Sequence, residues 1–539
     1  MIEFASRSLA FTRARAGDIS ARWFWSGVAV TAAGLAAALA VFLETWPPHE
    51  DEALAIFVAR DSLPHVVHTV ITDRGGAPLH FILVWAVVHM GGGLAAVRAI
   101  SLVFAVASVP AIAVLGARLA DRLTGLVAAV LASGSWIMLF HGVYGRMYSL
   151  FLFTSALSFI ALLDALDRGG RRRFALWGIA TLATLASHPY AVLVLVAQGA
   201  YVVVAGERRR AALTAFAVVG VCAAPFWWAD IVLRRRFDVG VGGGGARLGS
   251  PSSVAHYFWW VSGDFGAGHH EWSTPVLILA AAGFALIAAR RWRSALLTAC
   301  VVLVPAIAFV AATLHSKSSP EARHLIFALP FFSTMVAAPL VGLGRLRPPA
   351  TVALAVAAAV VLLVGEVRWA EQKTPQLFDG DTPSKAEARA KAAEWLNARS
   401  RPDDVLFGYE PVYLVAWDRD RALSKYALPR ADAALLTSAV RAIPQPLGHG
   451  VWVFDADDTT NVWRRPTISY AVPAPTRAFE ARTFGPYLVI RSRSPLITPE
   501  RYLTVSAAVM ELGRSLRIGD ADVNYGAIRG AAARLRHGS

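Results

Sequence analysis

Cysteine is nearly absent from the chain: Cys222 and Cys300 are the only two in 539 residues. Both lie in apolar stretches and neither belongs to a CxxC spacing, which excludes a disulfide framework and a thiolate metal or redox motif. They read as inert packing residues. Charge is scarce as well. Asp, Glu, Lys and Arg make up 17% of the residues against 56% hydrophobic, with a mean hydropathy of +0.49, where a soluble globular chain carries about 25% charge. Acidic residues are the scarcer sign, 37 against 52 basic, so the net charge is +15. Such an excess can serve nucleic acid, but the arginines form no continuous stripe and fall in short clusters between apolar runs. That pattern orients membrane spans and argues against a nucleic-acid partner. No repeat of fixed period is visible.

Long apolar runs are what the chain has in abundance, at about 22–44, 77–116, 124–140, 148–166, 173–187, 190–205, 211–229, 274–289, 294–314, 324–344 and 349–366. Most are Ala, Val and Leu with Gly or Pro inside, a composition that helices packed in a bilayer tolerate. The first run follows a basic leader with Arg7, Arg13, Arg15 and Arg22. At more than about 20 residues it exceeds a signal-peptide core and is expected to be a retained anchor.

Basic clusters lie between the runs: Arg118 and Arg122; Arg171, Arg172 and Arg173; Arg208, Arg209 and Arg210; Arg290, Arg291 and Arg293; Arg345 and Arg347. Short Arg-rich loops are cytoplasmic, so neighbouring clusters must be separated by an even number of spans. From Arg122 onward each pair is separated by two. The stretch 77–116 must then cross an odd number of times. We therefore expect 77–92, interrupted by Gly91, Gly92 and Gly93, to be a short juxtamembrane or re-entrant helix. The expected fold is a polytopic α-helical membrane protein of the plasma (inner) membrane, with about eleven spans and at most about thirteen. Residues 1–21 are cytoplasmic, 22–369 form the membrane domain, and 370–539 form an extracytoplasmic soluble domain.

Two long loops, 45–76 and 231–273, fall outside in this arrangement. The first is amphipathic over 52–72, with Leu54, Phe57, Val58 and Val66 among Arg60, Asp61 and His65, and suits a helix in the interface. The second is rich in Gly and aromatics. In the tail, Thr382-Pro383 starts a helix running to about Ser400. Apolar runs at 404–409, 450–455 and 487–491 are expected to be buried strands of a small α/β domain.

Ionisable residues at membrane helices are costly, so their placement carries the functional signal. His49-Glu50-Asp51-Glu52 follows the first span; three adjacent carboxylates at a low-dielectric surface suit a general base, or form a solvated acidic loop. Gly75-Gly76-Ala77-Pro78-Leu79-His80 turns into a helix start, and Arg98 follows on the same segment. Residues 141–148 contain Tyr144, Arg146 and Tyr148. Four apart, the two tyrosines are expected to share a helix face beside the guanidinium, as a cradle for sugar and phosphate or as an aromatic belt with an anchor. Ser187-His188-Pro189-Tyr190 caps another pair of spans. The loop 315–324 contains Lys317, Glu321, Arg323 and His324. A basic loop on the disfavoured side is explained by an anionic ligand, with Arg323 suited to bidentate phosphate contact and Lys317 to point-charge stabilisation. Asp264, His269, His270 and Glu271 are metal-ligand types but lack HxH or HExxH spacing, so no metal or other cofactor is expected.

The order of these features resembles the GT-C superfamily of membrane glycosyltransferases, specifically family 39 with its protein O-mannosyltransferases and lipid A aminoarabinose transferases. The resemblance spans about 40–345. It rests on Asp51 and Glu52 after the first span, Pro78-Leu79, Arg98, the Arg-x-Tyr of Arg146 and Tyr148, and Glu321, Arg323 and His324. This chain departs from relatives at Ala77-Pro78 and His80, where a double Pro and an aromatic are usual, and at His324, where Tyr is usual. The resemblance implies inverting transfer of a sugar from a polyprenyl-phosphate donor to a hydroxyl of a cell-envelope glycan, lipid or protein, without a metal in many members. Asp51 would be the base, with Glu52 as alternative, and Arg323, Lys317 and Arg146 would neutralise the leaving phosphate. A secondary transporter or flippase of a lipid-linked substrate is the rival; it calls for inverted repeats and mid-membrane charges, whereas the charges here sit at loop ends.

Overall fold

The computed structural model describes residues 18–74, 76, 78–206, 208–236, 250–266, 268, 270–312, 321–346, 349–455, 478–515 and 521–537. It divides into two compact units, one of Met1–Glu44, Val70–His80 and Arg98–Pro375, the other of Thr45–Thr69, Phe81–Val97 and Gln376–Ser539.

The first unit is helical. Among the described residues seven helices are long and apolar enough to cross a bilayer: Ala21–Thr45, Leu94–Leu119, Tyr148–Arg168, Trp272–Arg290, Trp292–Ala311, Ala322–Gly344 and Pro349–Lys373. Arg122–Gly134 with Trp136–Val143, and Arg209–Cys222 with Ala224–Val232, are two apolar pairs bent by 62° and 57°. Arg171–Leu185 and Ala191–Ala205 are 15 residues each. Val352, Val356, Val360, Ile278 and Ile307 point outward, exposed, as side chains that meet lipid do. The chain is a multi-pass membrane protein.

Small residues set the helix spacing. A Cβ on Gly283 would lie 1.7 Å from the Met335 carbonyl oxygen, so His270–Arg290 and Leu329–Gly344 touch backbone to backbone. Gly125 meets the Ala113 carbonyl in the same way, at 2.3 Å.

The Arg clusters converge at one end. Asp164, buried, meets Arg118 at 3.6 Å, Arg168 at 3.1 Å and Arg173 at 3.2 Å. Arg208 reaches the Leu166 carbonyl at 2.8 Å, Arg291 the Arg118 carbonyl at 2.8 Å, and Arg345 bonds Asp121 at 2.8 Å. Arg168 and Tyr148 close opposite ends of one 21-residue helix, about 30 Å apart at 1.5 Å per residue, the thickness of the hydrocarbon core.

Two local expectations, for Tyr144 with Tyr148 and for the stretch 52–72, are corrected. Tyr144 and Tyr148 do not share a helix face: Tyr144 caps Trp136–Val143 in extended conformation, its N–H on the Phe140 carbonyl, and Tyr148 opens the next helix. The helical path ends at Tyr144 itself and resumes only at Tyr148. The 231–273 loop contains a helix, Pro251–Phe265, started by a Ser250–Ser253 capping box. The amphipathic stretch 52–72 is Glu50–Ala59, Leu63–His68 and a π-helical turn Thr69–Arg74, because Pro64 is accommodated only in the first turn of a new helix. Pro78–His89 is 12 residues long, about 18 Å, which is too short to cross.

The second unit carries a five-stranded sheet in the order β2-β1-β3-β5-β4. These strands are β1 Val405–Phe407, β2 Ala427–Leu428, β3 Gly450–Asp455, β4 Phe479–Phe484 and β5 Tyr487–Ser492. β1 pairs in parallel with β2 and β3; β5 pairs antiparallel with β3 and β4. β1, β3 and β5 are buried at every position, hence their mostly apolar sequence, with Asp455, Arg491 and Ser492 at the strand ends. Trp452, Tyr502, Leu503, Leu436 and Ile528 centre the core. Thr382 caps Pro383–Asn397, accepting the Lys385 N–H at 3.3 Å. The first-loop helices pack with this unit: Arg60 donates to the Ser424 carbonyl at 2.8 Å, and the Leu94 N–H to Asp418 at 3.2 Å.

Candidate functional site

The first unit gathers histidines, phenols and a guanidinium around its 3-10 turn, Ala322–Ala328. Glu321 starts that turn, its carboxylate accepting the His324 N–H while its own N–H donates to His324 Nδ1 at 2.9 Å. A neutral His324 so held carries its proton on Nε2. Glu321 also pairs with Arg323 at 2.7 Å, and its carbonyl accepts the Tyr257 hydroxyl at 2.9 Å. Arg323 lies 5.2 Å over the Tyr148 ring, a cation held by carboxylate and π-face together.

His324 stacks on Tyr190, centroids 4.5 Å apart and planes 6° apart, and lies 5.6 Å from His188. His188 stacks on Phe151 at 4.7 Å and lies 5.4 Å from Tyr148. The turn between Arg171–Leu185 and Ala191–Ala205 holds it, its Nδ1 accepting the Tyr190 N–H at 3.1 Å, so it too presents an Nε2–H. Burial first, and then the positive fields of Arg323 and Arg146, hold His188 down to about 3. It is therefore neutral at physiological pH. Burial first, with Tyr148 and Glu321 adding to it, pushes the Tyr190 phenol up to about 12, so it remains a donor. The charge of the cluster thus comes from the arginines and Glu321.

Arg146 reaches the cluster through its loop. Ser101 on Leu94–Leu119 donates to the Tyr144 and Arg146 carbonyls at 2.7 and 3.2 Å, and His80 Nε2–H to the Gly145 carbonyl at 3.2 Å. The Pro78-Leu79 helix start ties two loops together, because the Leu79 N–H, an orphan donor of a helix first turn, bonds the Ala186 carbonyl at 2.8 Å. Arg98, buried on the helix that carries Ser101, donates to the Leu43 carbonyl at 3.4 Å.

Leu325 and Ala328 of the same turn also line an apolar cavity of about 510 Å³, walled by Phe258, Val261, Phe265 and Phe331 among others. Charged groups and an apolar cavity therefore share one turn.

No protein-family model matches the chain, and no characterised protein sequence does. Solved structures do. The chain is similar to ArnT from Cupriavidus metallidurans bound to undecaprenyl phosphate, with a TM-score of 0.57 and 14% identity over 88% of this chain and 98% of that one. It is also similar to the oligosaccharyltransferase AglB from Archaeoglobus fulgidus in complex with an inhibitory peptide and a dolichol-phosphate, with a TM-score of 0.50 and 11% identity over 80% of this chain and 69% of that one. The chain has the GT-C fold.

On this GT-C fold the structure brings together Tyr148, His188, Arg323 and His324 by direct ring or cation contact, holds Glu321 beneath them as the cap of the turn, and seats Arg146 within electrostatic reach of His188. Tyr144 touches the group through His141, at 5.9 Å. Lys317 lies outside the described residues.

The acidic run belongs to the second unit. His49 caps Glu50–Ala59, accepting the Asp51 N–H on Nδ1 at 3.2 Å, and its own N–H donates to Glu52 at 3.1 Å. Glu52 is fully buried and spends its carboxylate on that cap; Glu50 pairs with Arg430, which also bonds Glu410 at 2.9 Å. Asp51 is half-buried in the first turn. Among the described residues no group of three or more His, Cys, Asp or Glu is placed to hold a metal ion. Asp264 is instead paired with Lys373 at 2.6 Å and bonded by Trp369 at 3.0 Å; the side chains of His269, His270 and Glu271 lie outside the described residues.

Sequence reasoning missed Tyr190, Tyr257, Ser101 and Asp264–Lys373 as neighbours. Ser101 and Tyr257 lie inside helices and Tyr190, Asp264 and Lys373 at helix ends, and only the packing of distant helices makes each a partner.

Proposed function

We propose that this protein is an inverting glycosyltransferase that moves a sugar from a polyprenyl-phosphate donor to a hydroxyl of an extracytoplasmic glycan, lipid or protein. The observation that carries the reading is the 3-10 turn, which holds Arg323 and His324 near His188 and, through Leu325 and Ala328, lines an apolar cavity. A lipid phosphate needs both: fixed donors for its head and a dry space for its tail. The lipid carriers bound by ArnT and AglB support the same class of donor.

In this reading the acceptor oxygen attacks the anomeric carbon from the face opposite the phosphate, the C–O bond to phosphate breaks, and the proton passes to Asp51. Asp51 is the first choice for this role and Glu52, whose carboxylate accepts the His49 N–H, is the alternative. The leaving phosphate is already stable as an anion, so Arg323, Arg146 and Lys317 suffice without a general acid. With about eleven spans, the N-terminus is in the cytoplasm, and the site and residues 370–539 are outside the inner membrane. No cofactor is required.

Transfer is measured in detergent with a panel of polyprenyl-phosphate sugars. Wild type is expected to transfer from at least one, and Asp51→Asn to lose at least about 100-fold in kcat while still binding undecaprenyl phosphate. Equal rates for the two proteins remove Asp51 as base. Absence of transfer from every donor, together with donor movement across vesicles, makes the protein a flippase instead.

A further inference from the structure

His141 is 1% exposed, and neither of its ring nitrogens has a hydrogen-bond partner among the described residues. The other buried imidazoles among those residues, at His80, His188 and His449, each have at least one, and so does half-buried His324. The backbone of His141 is firmly held. Its carbonyl accepts the Ser149 hydroxyl at 2.6 Å, and Gly142 lies so close to Leu39 that a Cβ would come within 2.7 Å.

The ring lies 4.6 Å from Tyr148 and 5.7 Å from Trp136. Each of those rings carries a cation: Arg323 5.2 Å over Tyr148, and Lys373 3.6 Å over Trp136. The fields of Arg323, Lys373 and His188 reach the imidazole, which interacts with His324 as well; Arg323 is paired with Glu321 and Lys373 with Asp264. A side chain there for packing alone would be better as Phe, because an unpaired buried donor and acceptor both cost stability. Two cations beside an imidazole with both nitrogens open make a place for an anion that also brings a hydroxyl.

Resting on the donor reading above, we infer that His141 is a further substrate-contact residue of this site, donating one ring N–H to the phosphate of the lipid-linked donor and accepting on the other nitrogen from a hydroxyl of its sugar. The chemistry fits each side. A phosphodiester offers only acceptors, a neutral imidazole has one donor and one acceptor, and the sugar supplies the donor the phosphate lacks. Arg323 and Lys373 attract the anion, and His141 sets its direction.

The full chain in detergent is titrated with undecaprenyl phosphate, undecaprenol and inorganic phosphate, as wild type, His141→Phe and His141→Gln, and donor KM and kcat are measured. Gln keeps an N–H and an acceptor oxygen; Phe keeps only bulk. His141→Phe is expected to weaken undecaprenyl phosphate by about tenfold and to raise donor KM more than it lowers kcat. Undecaprenol binding stays at its wild-type value, the thermal midpoint does not fall, and His141→Gln recovers most of the loss. Unchanged affinity for undecaprenyl phosphate in His141→Phe overturns the contact. So does a parallel loss of undecaprenol binding and thermal stability that Gln does not restore, which is a packing role. Inorganic phosphate binding as tightly, with the same dependence on His141, replaces the lipid-linked ligand by a free anion. His141-dependent binding without any sugar transfer removes the glycosyltransferase reading and leaves the contact standing; a wild type that does not bind undecaprenyl phosphate overturns both.

Discussion

His188 shows how a single residue is tuned by where it is buried. Enclosed by Phe151, Tyr148 and His324 and facing the fields of Arg323 and Arg146, it is neutral in the folded protein down to about pH 3, whereas an unfolded histidine protonates near about 6.5. The unfolded state therefore takes up a proton that the folded state refuses. Its contribution to stability is full above about pH 6.5 and is lost as pH falls from there toward about 3, at roughly 1.4 kcal/mol per pH unit. We expect the thermal midpoint in detergent to fall between pH 6.5 and 5.0 more steeply for wild type than for His188→Gln, which cannot titrate. Parallel pH profiles for the two proteins contradict a neutral buried imidazole.

The helical elements are built for close approach where they cross and for breakage where the site is made. Gly283 lies against the Met335 carbonyl with no room for a Cβ. Gly283→Ala should cost about 1–3 kcal/mol through forced separation of the two helices. Gly34→Ala, on the exposed side of Ala21–Thr45 with nothing within 4 Å, should instead gain a few tenths to about 1 kcal/mol from helix propensity. Opposite shifts in thermal midpoint check the pair, and equal shifts would show that Gly283 is not at a tight crossing. The 62° break between Arg122–Gly134 and Trp136–Val143 falls at Ser135, whose N–H and hydroxyl both turn back to the Ala132 carbonyl. Trp136, just past the break, donates to Thr374 at 2.9 Å and supports Lys373 on its ring face.

At the scale of the helical unit, the chain separates two chemistries by the length of a membrane span. Arg118, Arg168, Arg173 and Arg208 meet Asp164 or its neighbouring carbonyls at one end; Tyr148, His188, Arg323 and His324 meet at the other. The proposed orientation puts the first end in the cytoplasm. In a Cys222→Ser background, Arg172→Cys and Ser252→Cys, both exposed, should react with a membrane-impermeant maleimide from opposite sides of sealed vesicles. Labelling of both from one side would break the orientation.

Amino-acid order alone was enough to put the chain in a membrane, because runs of Ala, Val and Leu of spanning length have no other solvent. It also put the Arg clusters at alternating loops, since charge that cannot enter the bilayer must collect at helix ends, and it marked the buried strands at 450–455 and 487–491 by short, mostly apolar runs. The spacing of Tyr144 and Tyr148 predicts a shared face only if the helix continues, and the backbone turns extended at Tyr144 before the next helix opens at Tyr148. Which loop ends meet was legible only after folding. His188 and His324 are far apart in sequence and 5.6 Å apart in space, and Glu52 differs from Asp51 because one carboxylate caps its own helix. Whether a buried polar group is satisfied depends on neighbours from other helices, and only the packed structure sets those neighbours.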